Sequence, residues 1–383
     1  MNDHWRELES ELEQIQSKHL FRECKESAGI DFCSNDYLGF ASSIELKSEF
    51  IKNAALFPNG STASRLVKGH RKEMEEWEIL FSSFVEAEAA LLTANGYVAN
   101  LGLIDTIADS QTLVFTDRLN HASILDGIRI SGAQRKYYNH LDLDHLEFQL
   151  QKIETIPEQK KKRKIIVSET LFSMDGDSPD LKKLFDLKKR YGCILILDEA
   201  HALGVFGEQG KGLCFEQLTH QEISEVEYRV FTLGKSLGLE GGVIATSKIG
   251  RDYLVNRMRT FIFSTAPLPL ISVTAKMALR MLADANKSRD HLKNIAKYFK
   301  EKMIQHEFEL PNTTSHIFPI LMASEELALA FSNALKERGF DIRAIRPPTV
   351  PTPRLRISLN AKITREMIEE LVQAMIETRA TLR

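Results

Sequence analysis

Short apolar runs that alternate with helical patterns between about residues 46 and 270 constrain the fold of this chain more than any other feature. The runs are TLVF at 112–115, KIIVSE at 164–169, CILILDE at 193–199, RVFTL at 229–233 and GVIAT at 242–246. Near-continuous apolar strands separated by helices are typical of a mostly parallel sheet that is covered on both faces. The pattern therefore predicts an α/β domain, with a ligand site where polar residues follow the strands at the carboxyl edge of the sheet.

The 383 residues are enough for more than one domain. Residues 4–26 are rich in Glu, Gln, Lys and Leu and predict a polar amphipathic helix within an N-terminal arm, residues 1–45. The large α/β domain is predicted for residues 46–270. From residue 271 the pattern changes, and residues 271–383 predict a smaller α+β domain. Its predicted elements are a long helix over 271–307, a strand in HIFPILMA, a helix over 325–338, a Pro-rich loop, a strand in LRISL and a final helix.

Composition limits the classes of partner. A net charge of -3 supplies no basic field for nucleic acid or anionic lipid, and no apolar run reaches the roughly 20 residues that span a bilayer. The first residues lack the layout of a signal peptide, so we expect a cytoplasmic protein. The four cysteines form no C-x-x-C pair, and we expect neither a disulfide framework nor a metal site. The basic run KKKRK lies between a predicted helix and a buried strand, which favours a solvated loop.

Three residues carry the chemistry that can be argued from pattern. Asp198 ends the apolar strand ILILD, and His201 follows three residues later. An acid in this position either caps the next helix or pairs with His201, or it forms a salt bridge to a protonated heterocycle nitrogen. Lys235, in TLGKSLG, lies between glycines in a turn between two strands. Glycines let the backbone approach a ligand, and a lysine in a dry pocket can attack a carbonyl.

Five segments, DEAHALG, TLGKSLG, SNDYLG, NHASILDG and FSMDGD, together resemble the α-oxoamine synthases. The resemblance covers nearly the whole chain in order. It implies the aspartate-aminotransferase-like fold of fold-type I transferases that depend on pyridoxal 5'-phosphate (PLP). It also implies a homodimer with shared active sites. The implied reaction joins a small amino acid to an acyl thioester, carried by CoA or by an acyl carrier protein.

The same resemblance implies roles for individual residues. Lys235 would be the Schiff-base lysine, Asp198 would pair with the ring nitrogen, and His201 would hydrogen-bond the phenolic oxygen of the ring. His121, in NHASILDG, would stack on the opposite face of the ring. The remaining cofactor contacts would be the backbone of Gly96 and Tyr97, the residues Ser173 and Thr232, and Thr265 from the neighbouring subunit. The implied substrate contacts are Arg22, Asn35, Ser64, Thr349 and Arg356, with Arg354 close to Arg356.

The chain departs from the family pattern in two places. The usual GSGGSR is GSTASR here, so Thr62 and Ala63 replace two glycines and predict a stiffer loop or a narrower acyl channel. The Pro-rich loop before Arg354 is about two residues shorter than the common VPEGTxRLR form. Neither change touches the predicted cofactor residues, but both bear on the acyl group.

Several alternatives are open. The compact length and the RPPTVP segment favour the branch that joins L-alanine to a pimeloyl thioester, over 2-amino-3-ketobutyrate CoA ligase, 5-aminolevulinate synthase or a longer-chain acyl variant. A nucleotide-binding enzyme is a different class. Its phosphate loop would need a glycine at Val205 and a hydroxyl at Gly212, and neither is present. A non-catalytic partner subunit of the same fold could dispense with Lys235.

Overall fold

The computed structural model describes residues 2–382. Its helices are α1 (Asp3–Ser17), α2 (Ile44–Ala54), α3 (Lys72–Phe84), α4 (Gly96–Ile107), α5 (Ala122–Ser131), α6 (Leu143–Glu154), α7 (Pro157–Lys160), α8 (Leu181–Tyr191), α9 (Cys214–Gln217), α10 (His220–Ser224), α11 (Lys248–Arg257), α12 (Arg259–Ile262), α13 (Pro269–Asp284), α14 (Asn286–Gln305), α15 (Glu325–Glu337) and α16 (Arg365–Thr381).

The strands are β1 (Ile30–Asp31), β2 (Ala89–Thr93), β3 (Thr112–Asp117), β4 (Gln134–Tyr138), β5 (Arg163–Glu169), β6 (Ile194–Asp198), β7 (Tyr228–Thr232), β8 (Gly242–Thr246), β9 (Ile317–Leu321), β10 (Phe340–Asp341), β11 (Arg343–Ile345) and β12 (Arg354–Ser358). The chain divides into two compact units. The larger comprises residues 35–173 and 178–289, and the smaller comprises the described residues up to 34, residues 174–177 and those from 290 onward.

A seven-stranded sheet forms the centre of the larger unit, in the order β2-β8-β7-β6-β5-β3-β4. The pairs from β7 through β4 are parallel, whereas β8 runs antiparallel to both of its neighbours. The mostly parallel α/β sheet predicted from the apolar runs is therefore confirmed. Two strands of this sheet, β2 and β4, were not predicted, each for its own physical reason. The residues AALLT of β2 favour helix as readily as strand, and QRKYY of β4 is a polar, partly exposed edge strand.

Apolar side chains cover both faces of this sheet. Successive residues of one strand point to opposite faces, so Val230 joins one core cluster and Phe231 joins the other. The cluster around Phe231 contains Trp77 and Phe81 from α3, both fully buried. The other contains Leu103 and further apolar residues of α4. Two buried faces explain why these strands read as continuous apolar runs.

Two predicted helices have different bounds. The N-terminal helix was predicted to reach residue 26 but α1 ends at Ser17, because His19 adopts a left-handed φ of 55°. The guanidinium of Arg346 then binds the carbonyls of His19 and Phe21, which holds this stretch in a non-helical form.

The helix predicted over 271–307 is two helices, α13 and α14, separated at Ala285. Arg289 explains the break. Its Nη1 donates to the carbonyl of Leu282 (2.6 Å) and its Nη2 donates to the carbonyl of Ala283 (3.1 Å), so the side chain caps the last turn of α13.

The smaller unit contains an antiparallel sheet in the order β11-β12-β9 and a two-stranded parallel sheet of β1 and β10. The strands predicted in HIFPILMA and LRISL correspond to β9 and β12, and the helix predicted over 325–338 corresponds to α15. The smaller unit is therefore of the predicted α+β type.

The substituted loop at residues 60–65 packs against the segment that precedes α13. Ser61 Oγ donates to the carbonyl of Pro267 (2.6 Å), and Ala266 N donates to the carbonyl of Ala63 (3.0 Å). Between these anchors Thr62 is exposed and has a φ of 60°. A β-branched residue in the left-handed region is strained, because its Cβ crowds the following carbonyl. The loop therefore retains a glycine-like conformation although it lacks the glycine.

Replacing Thr62 by glycine should stabilise the protein by about 1 kcal/mol, because the left-handed backbone then carries no Cβ penalty. Urea unfolding of the purified protein measures the difference. Thr155→Gly is the matched control, since Thr155 is also exposed and also donates to a carbonyl, but has an ordinary φ of -81°. The control should lose stability, and equal losses in both variants would contradict strain at Thr62.

Candidate active site

Several polar residues gather around a cavity of about 160 Å³ at the carboxyl edge of the large sheet. The strands β5, β6 and β7 are neighbours and end here, with Glu169 directly beside Asp198 in the register. The predicted residues that line this cavity are Gly96, Tyr97, His121, Asp198, His201, Thr232 and Lys235. The structure thus brings together seven of the predicted cofactor residues from distant parts of the chain.

Asp198 presents a buried carboxylate to this cavity, with only 5% of the residue exposed. Its Oδ1 accepts the N–H of Ala200 (2.8 Å), and its Oδ2 accepts Nδ2 of Asn100 (2.6 Å). A charge removed from water needs a partner of opposite charge as well as hydrogen bonds. The protonated nitrogen of a heterocycle in the cavity would supply that partner.

His201 is buried and is oriented by a residue of the SNDYLG segment. Its Nδ1 lies 2.6 Å from Oη of Tyr37, and that hydroxyl also lies within hydrogen-bond distance, 3.1 Å, of Oδ1 of Asn35. The contact between Nδ1 and Tyr37 fixes the orientation of the His201 ring at the edge of the cavity. Tyr37 was not predicted as a site residue, although the segment that contains it was.

Lys235 is half-buried and lies in a tight turn between β7 and β8. Gly238 N donates to the carbonyl of Lys235 (2.8 Å), and Leu233 N donates to the carbonyl of Gly241 (2.9 Å). Gly238 has a φ of +65°, and a Cβ there would stand 2.3 Å from the nitrogen of Ala41. Glycine is therefore required for the turn that presents the lysine.

The start of α4 faces Thr232 at the edge of the same cavity. Asn95 caps the helix by accepting the N–H of Val98 (2.9 Å), whereas the first N–H groups of a helix, here those of Gly96 and Tyr97, have no partner within it. A Cβ on Gly96 would lie 3.4 Å from Thr232 Cβ, so a side chain would fill this space. The unpaired N–H groups and the positive end of the helix dipole suit a phosphate group.

These features fit PLP. A carboxylate for the ring nitrogen lies among the lining residues, as does a helix N-terminus for the phosphate. Between them the cavity presents an amine and two imidazoles, from Lys235, His121 and His201. The donors and acceptors of the cavity thus match the cofactor group by group.

Four other predicted residues belong to the larger unit but are absent from the cavity wall as described for residues 2–382: Asn35, Ser64, Ser173 and Thr265. Asn35 touches Tyr37, which contacts His201. Ser173 lies four residues beyond the end of β5, and Ser64 precedes the helical turn Arg65–Gly69. Thr265 is exposed.

The predicted substrate residues Arg22, Thr349 and Arg356 belong to the smaller unit. Arg22 Nη2 donates to the carbonyl of Pro347 (3.0 Å), and Thr349 N donates to the carbonyl of Arg346 (3.1 Å), so Arg22 and Thr349 both contact one loop. Arg356 is 5% exposed, and its Nη1 donates weakly to the carbonyl of Cys33 (3.4 Å).

Arg354 is engaged within the protein. Its Nη1 lies 2.5 Å from Oδ1 of Asp175 and also donates to the carbonyl of Met174 (3.2 Å). The side chain is 4% exposed, and a buried ion pair of this kind is strongly destabilised when one partner is removed. This ion pair gives Arg354 a structural role.

Glu169 is a cavity residue that sequence reasoning missed. It is 3% exposed, and its Oε1 accepts the backbone N–H of His121 (2.7 Å). Burial and, after it, the negative charge of Asp198 together raise the pKa of Glu169 to about 8. The available signal was its position at the end of KIIVSE, on the same edge as Asp198. Sequence reasoning also missed Asn100 and Ser123, which line the cavity. Their contacts with each other and with Asp198 join distant parts of the chain and leave no motif.

The aminotransferase class I and II family model matches residues 27–375. A protein of Bacillus cereus (strain Q1) named "Putative 8-amino-7-oxononanoate synthase" is 39% identical over 380 residues, covering 95% of this chain and 94% of its own. A protein of Bacillus anthracis with the same name is 38% identical over the same coverage.

Solved structures agree with these relatives. The serine palmitoyltransferase of Sphingomonas wittichii superposes with a TM-score of 0.87 at 26% identity, over 92% of this chain and 88% of that one. The 8-amino-7-oxononanoate synthase of Francisella tularensis superposes with a TM-score of 0.79 at 28% identity, over 93% of this chain and 99% of that one.

The chain belongs to the aminotransferase class I and II family, and its relatives place it among the α-oxoamine synthases of that family. It is therefore a PLP-dependent acyltransferase with the fold-type I architecture. The predicted family, fold and cofactor are confirmed. Across residues 2–382 no helix is long and apolar enough to cross a membrane.

The Glu169→Gln variant should change how stability depends on pH. Because the folded pKa of about 8 exceeds the ordinary value of 4.5, folded Glu169 keeps a proton that the unfolded chain releases between these values. Its contribution to stability is therefore lost as pH rises from about 4.5 to 8, with a slope of at most roughly 1.4 kcal/mol per pH unit.

Urea unfolding of the cofactor-free protein between pH 5.5 and 8 measures this slope. Glu169→Gln should gain stability over the wild type progressively across that range. Glu158→Gln serves as control, since Glu158 is exposed and should leave the slope unchanged. A constant difference between Glu169→Gln and the wild type would show that Glu169 is ionised throughout.

Proposed function

We propose that this enzyme condenses L-alanine with a pimeloyl thioester, with loss of carbon dioxide, to form 8-amino-7-oxononanoate in biotin biosynthesis. The similarity to the Bacillus proteins, which extends over 95% of the chain, carries the proposal. The RPPTVP loop supports it. The thioester is carried by CoA or by an acyl carrier protein.

When bound, PLP supplies a protonated ring that withdraws electrons from the α-carbon of the amino acid. Lys235 Nζ would take up the α-proton, since Lys235 is an amine among the residues that line the cavity. A bond then forms between the α-carbon and the thioester carbonyl, and the thiol leaves. The original carboxylate leaves as carbon dioxide, and a proton returns to the α-carbon.

The surrounding residues would keep this chemistry in one orientation. Asp198, held by Asn100 and the N–H of Ala200, would keep the ring nitrogen protonated. His201 would hydrogen-bond the phenolic oxygen, and His121 would cover the opposite ring face. The phosphate would be held by the N–H groups of Gly96 and Tyr97 together with Thr232 and Ser173.

Two arginines have proposed roles in substrate binding. Arg356 would bind the amino-acid carboxylate through two parallel hydrogen bonds. Arg354 is the less suitable arginine for this role, because its guanidinium is already paired with Asp175. Arg22 would meet the acyl substrate, with Thr349 contributing from the loop that Arg22 contacts. Asn35 and Ser64 complete the proposed substrate set.

The working unit is proposed to be a cytoplasmic homodimer. Thr265 is exposed and absent from the cavity wall described for residues 2–382, which is consistent with its serving the phosphate of the neighbouring subunit. In that arrangement each active site would need both chains. We retain the division of the chain into a helical arm (1–45), a cofactor-binding domain (46–270) and a small domain (271–383) as part of this proposal.

A second candidate is an α-oxoamine synthase with a different substrate pair. The superposition on serine palmitoyltransferase, with a TM-score of 0.87, specifically favours L-serine and a long-chain acyl thioester as the alternative. Thr62 and Ala63, which stand where the family pattern has glycines, are the residues most relevant to the acyl chain.

Substrate choice is tested with the PLP-loaded enzyme and a panel of amino acids and thioesters. We expect thiol release with L-alanine and a pimeloyl thioester, and much slower release with glycine and acetyl-CoA or with L-serine and palmitoyl-CoA. Lys235→Ala should abolish the reaction, whereas the control Lys248→Ala, an exposed lysine at the start of α11, should retain it. If glycine with acetyl-CoA or L-serine with palmitoyl-CoA turned over faster, that pair would replace the proposed substrates.

Arg356→Lys should raise KM for the amino acid at least about tenfold, because lysine cannot form the two parallel bonds of a guanidinium. Arg354→Lys should instead lower the melting temperature and leave that KM nearly unchanged, because it weakens the buried pair with Asp175. Initial rates against amino-acid concentration and thermal unfolding of both variants separate the two roles. If Arg354→Lys raised KM and Arg356→Lys only lowered the melting temperature, Arg354 would be the residue that binds the carboxylate.

A further inference from the structure

A continuous chain of hydrogen bonds, partly buried at His121 and buried from Ser123 onward, joins His121 to Asp198 through Ser123 and Asn100. Ser123 Oγ lies 2.8 Å from His121 Nδ1, Asn100 Nδ2 lies 3.1 Å from Ser123 Oγ, and the same Nδ2 lies 2.6 Å from Asp198 Oδ2. Ser123 is fully buried and Asn100 is 3% exposed. Both line the cavity.

The direction of each bond follows from one backbone group. Ser123 N–H also contacts His121 Nδ1, at 3.2 Å, and a backbone N–H can only donate. Nδ1 therefore carries a lone pair, and the hydroxyl of Ser123 must donate to it as well. The oxygen of Ser123 is then left to accept a hydrogen from Asn100.

The amide of Asn100 has only one orientation that satisfies its neighbours. A carboxylate accepts and cannot donate, so the group that faces Asp198 must be the NH₂. One amide hydrogen goes to Asp198 and the other to Ser123. The amide oxygen is then buried and has no hydrogen-bond partner among the described residues. Burying an acceptor without a partner costs free energy. The contribution of this amide therefore lies in the two hydrogen bonds that its NH₂ group donates, to Asp198 and to Ser123.

The position of His121 also disfavours a charged ring. Its side chain caps the N-terminus of α5, where the helix dipole opposes a cation. Burial of the ring lowers the pKa of His121, and the negative charge of Asp198 partly opposes this shift. Part of the residue remains exposed. A neutral ring with a lone pair on Nδ1 has its proton on Nε2.

We propose that Asn100 and Ser123 are positioning residues that hold His121 in the Nε2–H form and hold the carboxylate of Asp198 in one orientation. The chain thereby links His121, which is proposed to cover one face of the cofactor ring, to Asp198, which is proposed to pair with the ring nitrogen. His121 presents a hydrogen-bond donor to a ligand in the cavity, and Asp198 presents a charge whose direction is set by Asn100. This inference concerns the cofactor residues and holds for any acyl substrate.

Nitrogen NMR of the histidine-labelled protein tests the protonation state of His121 directly. Long-range proton–nitrogen spectra distinguish the two neutral forms, and His121→Gln identifies the signals by their loss. We expect the Nε2–H form in the cofactor-free protein and in the PLP-loaded protein. A proton on Nδ1, or a doubly protonated ring at neutral pH, would overturn the proposal without any variant of Asn100 or Ser123 having to fold.

Cofactor affinity tests the link to Asp198. Asn100→Leu keeps the size of the side chain but removes both donors, and should weaken the affinity for PLP by about tenfold or more, because hydrogen bonds to charged groups are the stronger ones. Equilibrium dialysis of the cofactor-free protein measures the affinity, and thermal unfolding confirms the folded state. Ser82→Ala is the matched control, since Ser82 is a buried serine whose hydroxyl donates to the carbonyl of Ile79 in its own helix, away from the residues that line the cavity.

Ser123→Ala completes a double-mutant cycle with Asn100→Leu. Because the two residues act through one chain, the loss of PLP affinity in the double variant should be smaller than the sum of the two separate losses. Ser123→Ala should also change the nitrogen shift of His121 Nδ1, whereas Ser82→Ala should not. Additive losses, or an Asn100→Leu variant that binds PLP within about twofold of the wild type, would refute the link.

Discussion

The buried carboxylate of Asp198 is the interaction on which the rest of the site depends. The strand that carries it, β6, is apolar and lies inside the sheet, so the charge appears only where the strand ends. Two donors stabilise the carboxylate but do not neutralise it. A protonated ring nitrogen of the cofactor would suit this position, and the helix start at Gly96 and the turn that carries Lys235 lie around the same cavity.

The adjacent acid, Glu199, shows how position decides the role of a carboxylate. Glu199 is fully buried, and it accepts hydrogen bonds from the hydroxyl of Thr170 (2.9 Å) and the N–H groups of Leu213 (2.9 Å) and Cys214 (2.8 Å). It therefore holds the loop that leads into α9. Asp198, one residue earlier, faces the cavity instead. Two adjacent acidic residues thus have different surroundings, since Glu199 supports a loop and Asp198 faces the cavity in which we propose that the cofactor binds.

Much of the fold was predictable because the strands are buried on both faces and their apolar runs are visible in the sequence. The predictions that failed concern features that individual side-chain contacts decide. The ends of α1 and α13 depend on Arg346 and Arg289, whose side chains bind carbonyls of a segment 325 residues away and of the preceding helix respectively. The strand β4 is too polar to be recognised. Such contacts leave no periodic signal.

The sequence alone determined the chemistry available: a strand-end acid with a histidine three residues later and a lysine between glycines, to which the family resemblance added His121 and the helix start at Gly96. These depend on residue type and on neighbours along the chain, which a sequence displays. Only the tertiary structure showed that Asn100 joins Ser123 to Asp198, that Glu169 lies beside Asp198, and that Asp175 occupies Arg354. These are contacts between distant segments, and their distances and burial exist only after the strands have paired and the helices have packed.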